Sequence, residues 1–163
     1  MTEQSMLFRQ VLGAFATGVA VVTTKRQGCY FGLTVNSFSS VSLDPMLIQI
    51  NIAKNTTSHE YITESGYFVV NILAEDQRQI SNIFSGAPPA ERFQHVRTWE
   101  TGSGCPVIEG SLSYIEVKIV ETFEGGDHTI FLGEVLQMQT LRDDAQPLLY
   151  FRGKYGRLAP EEE

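Results

Sequence analysis

The chain has 163 residues, of which 42% are hydrophobic and 19% are charged, and its formal net charge is −7. This length and composition predict one globular domain over residues 1–158, followed by an acidic, disordered tail at 159–163. The negative charge and the absence of any run of Lys or Arg disfavour nucleic acid and acidic membranes as partners.

The N-terminus and the cysteines predict a cytoplasmic protein. Residues 1–15 lack the basic, apolar and small-residue regions of a signal peptide, and no apolar run approaches the roughly 20 residues of a membrane span. Cys29 and Cys105 are far apart and form no C-x-x-C motif. We therefore expect free thiols in a reducing compartment and no metal site.

In the first part of the chain, one helix and three strands are predicted. Ser5 can cap a helix with apolar residues at helical spacing, an amphipathic lid or packing helix that would stop by Gly18. The β-branched residues 19–24 and the alternating residues 29–35 predict a β-hairpin. The nearly continuous apolar run 46–52 predicts an interior strand.

Further elements follow from residue 57 onward. Thr57 and Glu60 form a capping box, which predicts a short helix over 58–64 that stops at Gly66. Predicted after it are, in order, a strand at 67–73, a helix at 75–84, an extended loop at 91–106, a long antiparallel hairpin at 111–140 and a last strand at 148–151. The absence of β-α-β alternation makes this a mainly β fold, an antiparallel barrel of six to seven strands with short helical insertions and an N-terminal helix.

The pattern of one strand breaks between residues 32 and 45. Phe31, Leu33 and Val35 alternate, and short polar side chains then replace the pattern. Conflicts of this kind often mark functional sites, and hydroxyls with freed backbone N–H groups can bind an anion. The polar side chains are those of Thr34, Asn36, Ser37, Ser39 and Ser40. A polar junction between a strand and a loop explains the pattern equally well.

Common catalytic and nucleotide-binding motifs are absent, including G-x-G-x-x-G between a strand and a helix, the phosphate-binding P-loop, G-x-S-x-G and H-E-x-x-H. Among the histidines, His59 is expected to serve its own short helix. His128 stands at the mouth of the long hairpin, where rigid strands can present its ring to a ligand. A turn histidine hydrogen-bonded to Asp127 is an equally good interpretation.

Four segments, taken together, resemble one family, the short-chain flavin reductases with a flavin-binding split barrel. These are residues 32–45, YFVVNIL at 67–73 with Gln77 and Ser81 after it, GDHTIFLGEV at 126–135, and PLLYFRGKY at 147–155. The resemblance implies a homodimer of split barrels with FMN or FAD near the dimer interface and NADH or NADPH as electron donor. It also implies a separate monooxygenase component that receives the reduced flavin.

The resemblance also implies site residues. It places the flavin phosphate and ribityl chain on Thr34, Val35, Asn36, Ser37 and Ser40, and the isoalloxazine beside the backbone near Ile50 and Asn51. Lys54, Thr56 and Ser58 would close the phosphate end, with Phe84 and Ser85 on the far wall. His128, the one residue assigned to the catalytic step, would orient the nicotinamide dinucleotide together with Tyr150, Phe151, Arg152 and Gly153.

The polar stretch fits this chemistry, because hydride transfer occurs between the two cofactors and demands no nucleophile or metal from the protein. Two other functions stay open. A flavin- or haem-binding protein of the same barrel, without turnover, would act as a store or sensor. A pyridoxamine-phosphate-type oxidase would need several cationic side chains for the substrate phosphate, and the candidates are Lys54, Arg92, Arg97 and Arg152.

Overall fold

The computed structural model describes residues 2–159, and the predicted disordered tail therefore lies outside the described residues apart from Ala159. The helices are α1 Glu3–Leu12, α2 Thr57–Ser65 and α3 Arg78–Gly86. The strands are β1 Thr17–Gly18, β2 Ala20–Arg26, β3 Cys29–Val35, β4 Phe38–Leu43, β5 Met46–Ala53, β6 Tyr67–Ile72, β7 Thr98–Glu100, β8 Pro106–Ile108, β9 Ser113–Gly125, β10 His128–Thr140, β11 Leu149–Phe151 and β12 Lys154–Gly156. No helix within residues 2–159 is long and apolar enough to cross a membrane.

Seven strands form one antiparallel sheet in the spatial order β3-β2-β6-β9-β10-β5-β4. Side chains from all seven contribute to one hydrophobic cluster, so the sheet curls around a single core. Ile50, Phe68 and Phe131 are fully buried in this cluster. The prediction of a mainly β fold of six to seven antiparallel strands, with an N-terminal helix and short helical insertions, is confirmed, and the sheet has seven strands.

Both predicted hairpins are present. β2 pairs with β3 from Ala20 opposite Val35 to Arg26 opposite Cys29. The long hairpin joins β9 to β10 through a turn at Gly126, whose φ of 73° lies in the left-handed region that glycine adopts readily. β5 lies between β4 and β10, as expected for an interior strand.

The predicted boundaries of α1 are wrong at both ends. Thr2, and not Ser5, caps the helix, because the Thr2 hydroxyl accepts a hydrogen bond from the backbone N–H of Ser5 at 3.2 Å. The helix ends at Gly13, five residues before Gly18, where the Gly13 N–H donates to the Arg9 carbonyl. Thr2 and Ser5 can both cap the beginning of a helix, and Gly13 and Gly18 can both end one, so the sequence alone does not distinguish them.

The predicted cap of α2 is displaced by one residue. Thr56 has an extended backbone, and its hydroxyl accepts a hydrogen bond from the His59 N–H at 3.3 Å, so Thr57 is the first helical residue. The predicted stop at Gly66 is confirmed, with a φ of 72°. The end of β5 and the beginning of α2 are therefore joined by a loop of three residues, 54–56.

Two predicted irregular segments contain strands. The polar stretch after β3 leaves the sheet only at Asn36 and Ser37, since Ser39 and Ser40 lie in β4 and pair with β5. The predicted loop at 91–106 contains β7, which forms a two-stranded ribbon with β8. β12 was also not predicted; it joins β1 and β11 in a small sheet. β7 and β12 have three residues each, which is too few to show a period.

Helix α1 buries none of its side chains among the described residues. The predicted amphipathic spacing is present, but the apolar face is exposed, and each of its side chains is more than half accessible to solvent. These side chains are Met6, Leu7, Phe8, Val11 and Leu12, with Phe15 just beyond the helix. Such a continuous exposed apolar surface is characteristic of a contact with another molecule.

Gly133 lies at an irregularity in the pairing of β10 with β9, where two strands approach closely. A Cβ atom at this position would lie 2.1 Å from Cγ1 of Val117. We expect Gly133→Ala to lower the free energy of unfolding by about 1–3 kcal/mol through overpacking, measured by urea denaturation. Gly102→Ala is the control, because a Cβ there meets no atom within 4 Å. Equal losses in the two variants would contradict this explanation.

Candidate functional site

Three cavities follow one another along β3, and we call them together the β3 groove. The first has a volume of about 450 Å³ and is lined by Leu33, Thr34 and the beginning of α2. The second, of about 220 Å³, is lined by Thr34, Val35 and Asn36. The third, of about 390 Å³, is again lined by Val35 and Asn36. Neighbouring cavities share lining residues: Thr34 and Ser85 line the first two, and Val35 and Asn36 line the last two.

The first cavity has the properties of an anion site. It is lined by residues 55–58, where the first N–H groups of α2 have no partner within the helix. Arg92 also lines it, donating from Nη1 to the Gly32 carbonyl at 2.6 Å and from Nε to the Ala87 carbonyl at 2.9 Å. Burial lowers the pKa of Arg92 from its ordinary value, but a guanidinium remains charged in proteins. Within residues 2–159, Arg92 is the one charged side chain that lines the β3 groove.

Hydroxyl groups surround the second cavity. The Thr34 hydroxyl donates to the Ser81 carbonyl at 2.7 Å, and the Ser81 and Tyr155 hydroxyls lie 2.7 Å apart. The rings of Tyr150 and Tyr155 meet edge to face with 5.6 Å between centroids, which forms a fixed aromatic wall. Polyols bind well to surfaces of this kind, because each hydroxyl can donate and accept hydrogen bonds.

The third cavity is mostly apolar, and two polar side chains contribute to its lining. The apolar lining comes from Phe15, Ala16, Val19, Ala20, Val35, Phe38 and Ile72. The polar residues are Asn36 and Thr17, and the Thr17 hydroxyl is buried with no hydrogen-bond partner among the described residues. An apolar cavity with a few polar groups suits a heteroaromatic ring.

The structure brings about half of the predicted site residues together in the β3 groove. These are Thr34, Val35, Asn36, Thr56, Ser58, Phe84, Ser85 and Tyr150. The residues that line none of its three cavities are Ser37, Ser40, Ile50, Asn51, Lys54, His128, Phe151, Arg152 and Gly153. Four other residues line the groove although the sequence did not assign them to a site. These are Thr17, Ser81, Arg92 and Tyr155.

Several of the residues outside the groove have other contacts. The Ser37 hydroxyl donates to the Asn51 carbonyl at 2.7 Å, so these two residues join the end of β3 to β5. The side chain of Ile50 is fully buried in the core, which leaves only its backbone for a ligand. Lys54 forms an ion pair with Glu124 and donates to the Gly126 carbonyl at 2.9 Å. Ser40 lies exposed on β4.

His128 occupies the tip of the long hairpin, opposite Ala53 at the end of β5. Its Nδ1 lies 2.7 Å from the Asp127 carboxylate, the contact expected of a turn histidine. This hydrogen bond holds the pKa of Asp127 below its usual value. Tyr150 lies opposite Thr17 in the small sheet and lines the second cavity. His128 lines none of the three cavities, so the structure does not bring His128 and Tyr150 together in one cavity.

The segment 151–153 forms an exposed turn between β11 and β12. Arg152 and Gly153 have positive φ angles of 47° and 77°, and the Arg152 guanidinium lies 5.0 Å above the Phe151 ring. The Arg152 N–H donates to the Gly13 carbonyl at 2.9 Å. This turn therefore connects the small sheet to the end of α1.

Comparisons with known proteins agree with the resemblance found in the sequence. FMN reductase (NADH) SmoA of Agrobacterium fabrum is 40% identical over 158 residues, which cover 96% of this chain and 88% of that protein. The reductase subunit HsaB of a flavin-dependent monooxygenase from Rhodococcus jostii is 36% identical over 154 residues, which cover 94% and 78%.

A solved structure and a family model give the same result. NADH:FAD oxidoreductase SgcE6 of Streptomyces globisporus, in complex with NAD and FAD fragments, matches with a TM-score of 0.93 and 34% identity. The match covers 99% of this chain and 96% of that one. The model of the flavin reductase like domain matches residues 12–159. The chain therefore belongs to the family of flavin reductase like domains.

Proposed function

We propose that this chain is an NAD(P)H-dependent flavin reductase, which transfers hydride from a reduced nicotinamide to FMN or FAD. The observation that carries the proposal is the order of the three cavities in the β3 groove. An anion site, a hydroxyl-lined cavity and an apolar cavity follow one another, as do the phosphate, the ribityl chain and the isoalloxazine in a flavin nucleotide. The family assignment supports the same activity.

The dimensions of the groove support this placement. Leu33 lines the first cavity, and Asn36, three residues further along the chain and just after the end of β3, lines the last. At about 3.3 Å per residue this is a distance of about 10 Å, which is comparable to the length of a ribityl phosphate. We place the phosphate at residues 56–58 and Arg92, the ribityl chain beside Thr34 and Ser85, and the ring beside Asn36.

In this proposal the protein binds and orients the two cofactors and excludes water. The flavin and the nicotinamide supply the redox chemistry themselves when bound, so stacking the two rings at contact distance is the main requirement. Arg92 would supply the one charged contact from within residues 2–159, whereas the hydroxyls of Thr34 and Ser85 can offer only neutral hydrogen bonds, which are weaker. This favours a flavin that dissociates after reduction and passes to a separate monooxygenase component.

The proposal is tested by mixing the purified protein with each pairing of NADH or NADPH with FMN or FAD, and following nicotinamide oxidation by absorbance. We expect turnover with at least one pairing. A protein that binds flavin in stoichiometric amount but oxidises neither nicotinamide would instead be the store or sensor considered above. A protein that neither binds flavin nor oxidises nicotinamide would contradict both functions.

We further propose a cytoplasmic homodimer. Support for the dimer comes from the exposed apolar face of α1, which a second copy of the chain would cover. Support for the location comes from Cys29 and Cys105, both of which are free thiols, as is usual in a reducing compartment. Sedimentation velocity of the purified protein tests the dimer, and a monomer at micromolar concentration would exclude it.

His128 remains our proposed contact for the nicotinamide dinucleotide. We expect His128→Ala to raise the KM for NADH by about 5- to 150-fold, which corresponds to a lost contact of roughly 1–3 kcal/mol. The dissociation constant for FMN should change little. His95→Ala is the matched control, because His95 is an exposed loop residue that lines none of the cavities of the groove. If His128→Ala weakens FMN binding and leaves the KM for NADH unchanged, the assignment is wrong.

A further inference from the structure

Arg92 lies in the segment 87–97, which connects α3 to β7. Residues 87–97 join no sheet, and their one regular element is a turn of 3-10 helix at Pro89–Glu91. Connecting segments of this kind are usually more mobile than the strands beside them. An anion contact made by Arg92 therefore requires that other residues hold this segment against β3.

Phe93, the next residue in the chain, packs between two other aromatic rings, those of Phe84 and Tyr30. We call the three rings the aromatic bridge. The Phe93 ring meets that of Phe84 on α3 edge to face, with 5.0 Å between centroids, and lies tilted at 5.5 Å from that of Tyr30 on β3. Aromatic pairs at these distances attract each other beyond the apolar area that they bury. The bridge therefore connects the segment 87–97 both to α3 and to β3.

A carboxylate holds the outer end of the bridge. Glu100 of β7 accepts hydrogen bonds from the Tyr30 hydroxyl and, at 2.6 Å, from Nζ of Lys25. The hydrogen bond from Lys25 keeps the pKa of Glu100 below its usual value, so Glu100 is a charged acceptor at neutral pH. Because β7 directly follows the segment 87–97, Tyr30 ties the far end of this segment to β3 as well.

The inner end of the bridge contacts the strand residue that orients Arg92. A Cβ atom at Gly32 would lie 2.9 Å from Cε1 of Phe84, so the ring and the strand are already in contact. The Gly32 carbonyl accepts the hydrogen bond from Nη1 of Arg92, and the Ala87 carbonyl accepts that from Nε. Of the five N–H donors of a guanidinium, two are used in this way, and three remain for a ligand in the first cavity.

We propose that Phe93 and Tyr30 are positioning residues for Arg92, and that the aromatic bridge enables the groove to distinguish flavins with a 5′-phosphate from riboflavin. The inference rests on the proposed reductase function and on the placement of the phosphate beside Arg92. Neither Tyr30 nor Phe93 lines any of the three cavities, so neither ring touches the ligand. Their effect passes through the guanidinium, and the loss on substitution is therefore specific to the phosphate.

The test measures the dissociation constants of FMN and of riboflavin by fluorescence titration. For Phe93→Ala we expect that of FMN to rise about tenfold and that of riboflavin to stay unchanged. Tyr30→Phe keeps the ring and loses only the hydrogen bond to Glu100, so we expect a smaller rise for FMN, of about threefold. Phe123→Ala is the matched control, because Phe123 is exposed on β9 and lines none of the groove's cavities.

A double-mutant cycle shows whether Phe93 acts through Arg92. Added to Arg92→Gln, Phe93→Ala should leave the dissociation constant of FMN where Arg92→Gln alone puts it. Three results would each overturn the proposal: full additivity of the two changes, equal weakening of both flavins, or an FMN affinity that Phe93→Ala does not change. If Phe93→Ala does not fold, Tyr30→Phe takes its place in the cycle, with the same criteria.

The bridge and the reductase function fail in different ways. A wild-type protein that binds FMN but oxidises neither NADH nor NADPH refutes the reductase function, and the same titrations still decide about the bridge. A wild-type protein that binds FMN and riboflavin with equal affinity overturns the bridge, even where turnover is normal. A wild-type protein that binds neither flavin refutes both.

Discussion

Arg92→Gln should raise the dissociation constant for FMN by about tenfold to a hundredfold, because hydrogen bonds to charged groups contribute about 1.5–3 kcal/mol. Arg92 is the one charged side chain along the groove within residues 2–159, and two backbone carbonyls fix its orientation. Riboflavin, which has no phosphate, should bind the variant and the wild type equally well. The measurement is a fluorescence titration of each flavin.

The comparison between FMN and riboflavin separates the phosphate contact from structural damage. The variant loses its hydrogen bonds to the Gly32 and Ala87 carbonyls, and a distorted groove would weaken both flavins alike. Arg97→Gln removes an exposed arginine outside the groove and controls for the change in net charge. If Arg92→Gln weakens the binding of FMN and of riboflavin equally, Arg92 does not contact the phosphate. The proposed position of the phosphate at the beginning of α2 is then wrong.

Asn71→Leu should lower the free energy of unfolding by about 2–5 kcal/mol, since each unsatisfied buried polar group costs about 1–3 kcal/mol. Asn71 is fully buried on β6. Its amide nitrogen donates to the Val21 carbonyl at 3.0 Å and to the Thr23 hydroxyl at 3.1 Å, and its oxygen accepts from the Ile108 N–H at 2.8 Å. Leucine has a similar volume, so the loss would come from the hydrogen bonds and not from a cavity.

Urea denaturation measures this loss, and Asn82→Leu on the exposed side of α3 is the matched control. The hydrogen bonds of Asn71 connect β6 to β2 and to β8, so the variant should also loosen the β7–β8 ribbon. Hydrogen exchange at the Ile108 amide would detect this. A variant as stable as the control would show that the network contributes little.

The long strands were predictable because their alternation of apolar and polar residues extends over several periods. This holds for β9 and β10, which have 13 residues each. The strands β7, β8 and β12 were not predictable in this way. Each has three residues, which is hardly more than one period of the apolar and polar alternation. Their formation depends on partners that the local sequence does not reveal.

The candidate site was predictable where the sequence pattern broke and where the family resemblance gave residues. Thr34 and Asn36 stood out at the end of an alternating strand, and both line the groove. The sequence suggests Arg92 only as a ligand for the substrate phosphate of a pyridoxamine-phosphate-type oxidase, and it assigns no role to Tyr155. Arg92 donates to a carbonyl 60 residues earlier in the chain and Tyr155 contacts Ser81, 74 residues earlier, so only the folded structure brings them into the site.

Arg92 is the one cation that residues 2–159 contribute to the groove, and this affects the kinetics of ligand capture. FMN, FAD and NADH are all anions, and they approach a chain whose formal net charge is −7. One guanidinium at the end of a cavity acts over a few ångströms, whereas the field of the whole protein acts over roughly 10 Å at 0.1 M salt. Diffusional encounter is therefore opposed by long-range repulsion, and added salt should speed association by screening it. Dissociation depends on contacts at a few ångströms, which salt screens much less, so its rate should change less with salt than the association rate does.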